Sequence, residues 1–354
     1  MIRVRMSTLG LGLTFVLLLA LLLLLRSELL AAHLDNTIDY FAADAATYLS
    51  LYADLYAELD LSENPALFLI GSPILFMKLA SGDLFLIQTL NLALMTVSLK
   101  IAFDCLPGRR ARFEFMAGAL AFPYFLFGFL SLNKEVYAMC SAILYACYMA
   151  RGRRSHLVTA LVLAACARYY MLICLLTLLV VVPRDKAPRY RLIMALLLAI
   201  SFSAPFIKSL VPGYSGEDLL EDSGTAGVFF SSLIDSFGYV LAYPIKYAAL
   251  IPMRAYGLLI GSDRTTDLLE AAVSIASLAA LVLALGILFQ RKPRTELAQR
   301  LIVAGLVAPI PIMWSEIMHW RYYSFVYFFF LYAIVLHRQE RRSLGSRRIV
   351  ARNA

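Results

Sequence analysis

Apolar runs of roughly 15 to 25 residues recur along the chain and are separated by short polar segments. Runs of this length are typical of helices that cross a membrane, because a helix rises ~1.5 Å per residue and the hydrocarbon core is ~30 Å thick. Backbone groups in lipid have no water to bind, so such runs are predicted to be helical. The pattern predicts ten spans, near residues 8–26, 84–103, 115–130, 136–150, 156–167, 169–183, 190–208, 267–289, 300–315 and 321–337.

Two further apolar stretches do not fit this alternation. Residues 65–79 are short, contain two prolines and include Lys78, and residues 228–262 carry three charged residues among aromatic ones. Counting either stretch as a single crossing would place a basic segment on the wrong side of the membrane. Both are therefore predicted to be helices at the outer interface or re-entrant segments.

Composition places the chain in the class of helical membrane proteins. Hydrophobic residues make up 61% of it and charged residues 16%, and the mean hydropathy is +0.76, outside the range of soluble globular domains.

The run 8–25 is longer than the ~7–15 apolar residues of a cleaved signal peptide, which favours an uncleaved first helix. The five cysteines show no C-x-x-C spacing, so they are predicted to be core residues and not disulfides or zinc ligands.

The chain shows no internal repeat and no soluble domain. We predict a single membrane domain over residues 1–354. Within it, residues 27–83 are predicted to form an acidic outer loop with an interfacial helix, and residues 209–266 a second outer loop with interfacial helices.

Charge is distributed unevenly between the polar segments. Basic residues concentrate in five clusters, at residues 106–113, 151–156, 183–191, 290–300 and the tail from His337. By the positive-inside rule these clusters are cytoplasmic, together with both termini of a multi-pass protein. The acidic segments then lie outside, which for a bacterial inner membrane is the periplasm. The net charge of +8 thus reflects anchoring at the cytoplasmic lipid surface and gives no support to nucleic-acid binding.

Several charged side chains are predicted to share the outer level of this topology. The sequence "SLNKEV" (131–136) is a hairpin tip with Lys134 and Glu135, and Arg168 stands between two short spans. The segment "SEIMHWRYY" (315–323) adds a histidine and an arginine among aromatic residues. Spans of about 11 to 16 residues are too short to cross the ~30 Å core untilted. The tips are therefore predicted to surround a cavity that opens outward.

The first outer loop is predicted to bring carboxylates close to these cations. In "ADAATY" (43–48), Asp44 and Tyr48 share one helical face. A carboxylate can accept a proton from an attacking hydroxyl, and fixed cations such as Lys134, oriented by Glu135, can stabilise a phosphate leaving group. Plainer readings stay open here: solvation of an outer loop, snorkelling of the lysine to the interface, and an aromatic belt over 315–323.

The layout resembles that of the GT-C class of integral membrane glycosyltransferases, which use polyprenyl-phosphate-linked sugars at the outer face. The motifs that carry the resemblance are "DYFAADAATY", "NPALFLIGSPILFMK", "SLNKE", "CARYYM" and "HWRYYSF", in that order along the chain. They cover most of it and imply an all-α, GT-C-like fold of about ten transmembrane helices with outer interfacial helices. They also imply an enzyme that transfers a sugar from a polyprenyl-phosphate donor to a glycan, lipid or protein acceptor of the cell envelope.

By its position in the matching motif, Asp44 is implied by the resemblance to be the catalytic base. Asp39 is the alternative, because the loop lacks the adjacent Asp-Glu pair common in the family. The substrate-binding residues that it implies are Lys78, Lys134, Glu135, Arg168, Tyr169, His319, Arg321 and Tyr322. Asn64 and Tyr169 stand where prolines are common, which leaves the sugar and the acceptor open. No metal-ligand motif stands out and no cofactor is assigned, although a divalent metal ion is left open.

Two other functions are compatible with a multi-pass envelope protein. A polysaccharide polymerase or ligase would be expected to carry arginine-rich outer loops, whereas these outer loops are mainly acidic. A non-enzymatic transporter or assembly protein would be expected to carry charges along several spans. The charges here cluster at one level, which favours a single outward-facing site.

Overall fold

The fold is all-α. The structure, a computed structural model, describes residues 6–24, 76–77, 79–130, 134–210, 216–252, 265–290, 295–313 and 323–353. Within these residues there are twelve α-helices and no β-strand, which confirms the predicted class. In chain order the helices are α1 Met6–Leu24, α2 Leu84–Cys105, α3 Arg109–Leu120, α4 Pro123–Gly128, α5 Glu135–Arg151, α6 Arg154–Ala167, α7 Tyr169–Val181, α8 Tyr190–Leu210, α9 Gly216–Leu250, α10 Thr265–Phe289, α11 Glu296–Val307 and α12 Val326–Asn353.

Each of the ten predicted spans overlaps one of these helices, but most helices are short. By length and composition, two helices in the described part of the chain are able to cross a membrane, Leu84–Cys105 and Ala271–Phe289. The predicted span 115–130 is divided, because the chain turns after Leu120 and restarts as α4 at Pro123. Proline suits the first position of a helix, where its missing N–H has no intrahelical partner to lose.

Local chemistry explains several helix ends. The side chain of Asp83 caps α2 by accepting a hydrogen bond from the N–H of Phe85 at 2.9 Å. Helix α5 ends at Gly152, whose φ of +70° is a left-handed conformation that favours glycine. The guanidinium group of Arg184 occupies the space where a side chain at position 152 would begin. The two connections, α5 to α6 and α7 to α8, are therefore in contact.

Helix α5 lies at the centre of the bundle and packs against α2, α6 and α12. Nearly all of its residues are buried, and residues 326–336 of α12 are buried as well. Aromatic rings fill the contacts with α12, as where Tyr145 meets Phe329 edge to face with ring centroids 6.0 Å apart. All five cysteines are free, and four of them are buried in this core.

The outer faces of the helices are apolar. On α10, Ile275, Leu278, Val282 and Phe289 are exposed and share one face by their spacing. Exposed valine, leucine and isoleucine side chains repeat in the same way on α2, α6 and α7. Contiguous exposed apolar surface of this extent is of the kind that lipid or another protein covers.

The described parts of the five basic clusters lie together at one end of the bundle, called the basic end below. Arg151 donates to the carbonyl oxygen of Asp104 at 3.2 Å, which joins the ends of α5 and α2. Arg300 donates to the carbonyl oxygen of Arg184, which joins α11 to the connection between α7 and α8. The tail helix α12 returns to the same end, where the side chain of Gln339 lies against Gly108.

A paired carboxylate stabilises the contact of α12 with α3 at the basic end. Oε1 of Glu114 lies 2.7 Å from Nη2 of Arg342 and 3.1 Å from Nε of Arg110. Burial alone raises the pKa of the Glu114 carboxyl, but the hydrogen bonds from Arg342 and Arg110 outweigh it, so the pKa lies below its ordinary value. Glu114 therefore stays ionised and neutralises part of the positive charge on this side.

Three tyrosines of α9 attach this helix to the end of α11. The hydroxyls of Tyr239, Tyr243 and Tyr247, spaced four residues apart, each donate to a backbone carbonyl. The acceptors, in the same order, are the carbonyls of Ile310, Leu306 and Gly305, at 2.8, 2.5 and 3.1 Å. We call these three hydrogen bonds the tyrosine ladder.

Pro309 makes one of these carbonyls available. In an α-helix the carbonyl of Gly305 would accept from the N–H of residue 309, and proline has no N–H. The hydroxyl of Tyr247 takes that place. Residues 209–266, predicted to be an outer loop with interfacial helices, thus contain a helix that packs one face of its second half against the end of α11. Its position relative to a membrane stays a prediction.

Candidate functional site

Lys134, Glu135 and Arg168 meet at the end of the bundle opposite the basic end. Glu135 is the first residue of α5, and Arg151 at the other terminus of that helix belongs to the basic end. Seventeen residues of helix separate the two ends by ~25 Å. A carboxylate in the first turn also interacts favourably with the N-terminal end of the helix dipole.

Arg168 is the single residue that connects α6 to α7. Its backbone is extended, with φ −164° and ψ 143°. The N–H of Arg168 donates to the carbonyl of Ala164, and its own carbonyl accepts from the N–H of Met171. The two helices therefore reverse direction without a loop, as the sequence "CARYYM" predicted. This tight reversal places the guanidinium group over the N-terminus of α5.

Arg168 and Glu135 form a largely buried ion pair. Nη2 of Arg168 lies 3.0 Å from Oε1 of Glu135, and the exposed fractions of the two side chains are 17% and 4%. The guanidinium carbon of Arg168 also lies 5.6 Å from the centre of the Tyr170 ring, within reach of a cation–π interaction. Glu135 was predicted to orient Lys134, and the structure shows it in contact with Arg168.

A small pocket opens beside this pair. It has a cavity volume of about 10 Å³ and is lined by Lys134, Glu135, Ala138, Ala167, Arg168, Tyr170 and Met171. Two cationic side chains against one carboxylate leave the lining with a net positive charge. A cavity needs ~10–15 Å³ to hold one water molecule, so this one is too small to enclose a phosphate or a sugar. Its charge suits an anionic group that lies at its mouth.

Two polar residues of α2 hold the chain on both sides of Lys134. Nε2 of Gln88 donates to the carbonyl of Leu130 at 2.6 Å, just before the tip. Oδ1 of Asn91 accepts from the hydroxyl of Tyr137 at 2.8 Å, less than one turn after it. The sequence interpretation did not identify these residues. The feature of the sequence that could have identified them is two amide side chains, three residues apart, in a mainly apolar helix.

The chain that follows the acidic first loop reaches the same place. The ring of Phe76 stacks on that of Tyr137, with centroids 5.4 Å apart and an angle of 14° between the planes. Tyr137 lies three residues after Lys134. The loop predicted to carry the base thus returns to the bundle next to the pocket.

The remaining predicted site residues lie beyond what the structure describes. Asp39, Asp44, Lys78, His319, Arg321 and Tyr322 fall outside the described residues, and Tyr169 begins α7 with a side chain that is not described. Their roles stay predictions. In the part of the chain that is described, no group of three or more histidine, cysteine, aspartate or glutamate side chains is placed to hold a metal ion.

Comparisons of the chain with protein-family models, with curated proteins and with solved structures give no match. The features of the chain that bear on its function are therefore the pocket and the distribution of charge and apolar surface.

Proposed function

We propose that this chain is a multi-pass membrane glycosyltransferase of GT-C-like design, which transfers a sugar from a polyprenyl-phosphate donor at the outer face. The acceptor would be a glycan, lipid or protein of the cell envelope. The observation that carries the proposal is the pocket at Lys134, Glu135 and Arg168, which is cationic, buried and opposite the basic end.

Membrane embedding is supported by two features of the fold. The exposed faces of α2, α6, α7 and α10 are apolar, as lipid-facing surface is. The basic clusters share one end of the bundle, where the positive-inside rule places the cytoplasm of a bacterial inner membrane. About ten helices would then cross with both termini inside, and the short ones would be tilted or surrounded by locally thinned lipid.

In this proposal the phosphate of the donor lies at the mouth of the pocket, against Lys134 and Arg168. Arg168 offers a planar fork that suits two phosphate oxygens, and Lys134 adds a second positive charge. Glu135 fixes the guanidinium by their 3.0 Å contact. Because the pocket itself is too small for a phosphate, the phosphate would lie at its mouth and the sugar further out, towards the first outer loop.

The reaction needs a base on the acceptor side. The acceptor hydroxyl attacks the anomeric carbon of the sugar, a new glycosidic C–O bond forms, and the bond from carbon to phosphate oxygen breaks. The hydroxyl proton passes to Asp44, with Asp39 as the alternative, and the electron pair leaves with the polyprenyl phosphate held by Lys134 and Arg168. Lys78, Tyr169, His319, Arg321 and Tyr322 would complete the donor site.

The test is transfer from a radiolabelled polyprenyl-phosphate sugar by the purified chain in reconstituted membranes. We expect Arg168→Ala to abolish transfer and Arg168→Lys to keep part of it, because lysine lacks the planar fork. The matched control is Arg109→Ala, which removes an exposed arginine at the basic end and should leave the rate unchanged. Full activity of Arg168→Ala, at wild-type protein level and melting temperature, would overturn the proposal.

The alternative polymerase or ligase is tested in the same membranes. A donor that carries an oligosaccharide on polyprenyl diphosphate replaces the monophosphate sugar. Transfer from that donor alone would identify a polymerase or ligase. A chain that uses neither donor while it binds polyprenyl phosphate would support the non-enzymatic reading.

A further inference from the structure

We propose that the basic end carries a binding site for an anionic phospholipid where α6, α7 and α8 meet. The phosphate of the lipid would lie against arginines of the two connections that contact each other there, and its acyl chains would lie along the helices above them. The site is distinct from the pocket at Arg168, and the proposal does not depend on the transfer reaction.

The two connections supply the positive charge. Residues 151–156 contain three arginines, and residues 183–191 contain three arginines and a lysine against one aspartate. Contact between Gly152 and the guanidinium of Arg184 makes them one surface. Arg154 at the start of α6 and Arg189 and Arg191 at the start of α8 are exposed on it.

Apolar surface begins within one or two turns of these arginines. Val158 and Val162 of α6 are more than half exposed, at 58% and 55%. Val180 at the end of α7 and Leu192 and Met194 at the start of α8 are exposed as well. All three helices thus carry exposed aliphatic side chains next to the basic connections.

This combination selects the ligand class. A free phosphate or a nucleic acid would use the arginines but leave the apolar faces uncovered, and a neutral lipid would use only the apolar faces. An anionic phospholipid matches both, and basic sites next to helix ends on the cytoplasmic side are known to bind such head groups.

The contact of α3 with α12 offers a contrast at the same end. There Glu114 lies between Arg110 and Arg342 and neutralises part of their charge. Arg109, Arg338 and Arg341 are exposed in this neighbourhood. Replacing these three removes as much positive charge from the basic end as replacing Arg154, Arg189 and Arg191, and therefore controls for net charge.

The experiment measures lipid binding to the purified full chain in neutral detergent by native mass spectrometry, with phosphatidylglycerol and phosphatidylcholine as probes. We expect wild type to bind phosphatidylglycerol at least ~10-fold more tightly than phosphatidylcholine. An arginine near an anionic lipid surface is worth about fivefold in affinity, so the triple variant R154Q/R189Q/R191Q should lose ~10- to 100-fold. The control R109Q/R338Q/R341Q should stay within ~3-fold of wild type.

Three results would overturn the proposal. The first is equal binding of the two lipids by wild type, which needs no variant to fold. The second is an equal loss of phosphatidylglycerol affinity in the two triple variants, because net charge alone would then explain binding. The third is release of phosphatidylglycerol by inorganic phosphate at millimolar concentration, since a site that binds both the head group and the acyl chains should retain the lipid.

Discussion

Arg168 closes α6 and Glu135 opens α5, and their side chains meet at 3.0 Å although 33 residues separate them in the chain. The pair therefore ties the two helix termini together beside the pocket. A buried ion pair contributes little net stability compared with apolar packing, but removal of one partner leaves a buried charge uncompensated. Single and double substitutions should consequently behave very differently.

We expect Glu135→Gln to destabilise the fold by ~3 kcal/mol, at the lower end for a broken buried pair because Arg168 is partly exposed. The double variant E135L/R168L should recover most of that loss, because neither charge remains buried alone. Unfolding in mixed detergent micelles with increasing SDS measures both. A loss in the double variant equal to the sum of the losses in Glu135→Leu and Arg168→Leu would show that the two side chains are not coupled.

The predicted base is tested by neutral substitutions in the first loop. Asp44→Asn keeps the shape and removes the charge, and we expect a loss of ~10²–10⁴-fold in the transfer rate. Asp54→Asn and Glu63→Gln remove other carboxylates of the same acidic outer loop, which we assign to solvation, and should transfer at nearly the wild-type rate. A dead Asp39→Asn beside an active Asp44→Asn would move the base to Asp39.

The charge distribution predicts the topology. Single cysteines at positions 153 and 294, in a cysteine-free background, should react with an impermeant thiol reagent only after the membrane is permeabilised. Cysteines at positions 44, 133 and 223 should react in intact cells. Labelling of position 153 or 294 in intact cells would contradict the assignment of the basic end to the cytoplasm.

The tyrosine ladder predicts a stability effect that a second substitution should reverse. Tyr247→Phe leaves the carbonyl of Gly305 without a donor, and we expect a loss of ~1–3 kcal/mol. Pro309→Ala supplies the missing backbone N–H, so it should reduce the loss when combined with Tyr247→Phe. Tyr145→Phe is the control, because the buried hydroxyl of Tyr145 has no hydrogen-bond partner among the described residues. Additive losses for Tyr247→Phe and Pro309→Ala would rule out this explanation.

The pattern of apolar and polar residues predicted the positions of the helices well, because apolar runs end at residues with a defined backbone conformation. Gly152 ends α5 by its left-handed conformation, and Arg168 marks the reversal between α6 and α7. Contacts between distant segments were not predictable in this way. The pairing of Glu135 with Arg168 requires α5 and α6 to pack antiparallel, and the hydrogen bonds of Gln88 and Asn91 require a known register between α2 and α5.

The packing of α9 shows the same limit. The sequence argument for residues 228–262 concerns only their topology: a single crossing would place a basic cluster on the wrong side of the membrane, so helices at the outer interface or re-entrant segments are predicted. Tyr247 is buried, and its hydroxyl donates to the carbonyl of Gly305, which is available because Pro309 has no N–H. No periodicity within α9 carries that information.

The tyrosine ladder also constrains the order in which the protein can be completed during translation. Its three donors precede their acceptors by 71, 63 and 58 residues. At ~5–20 residues per second, the ribosome delivers the acceptors ~3–14 s after the tyrosines. During that interval α9 cannot dock in its final position, and the hydroxyls need water or a chaperone as partner. A nascent chain that stalls before residue 310 would therefore present α9 as an unassembled helix, open to recognition by membrane proteases.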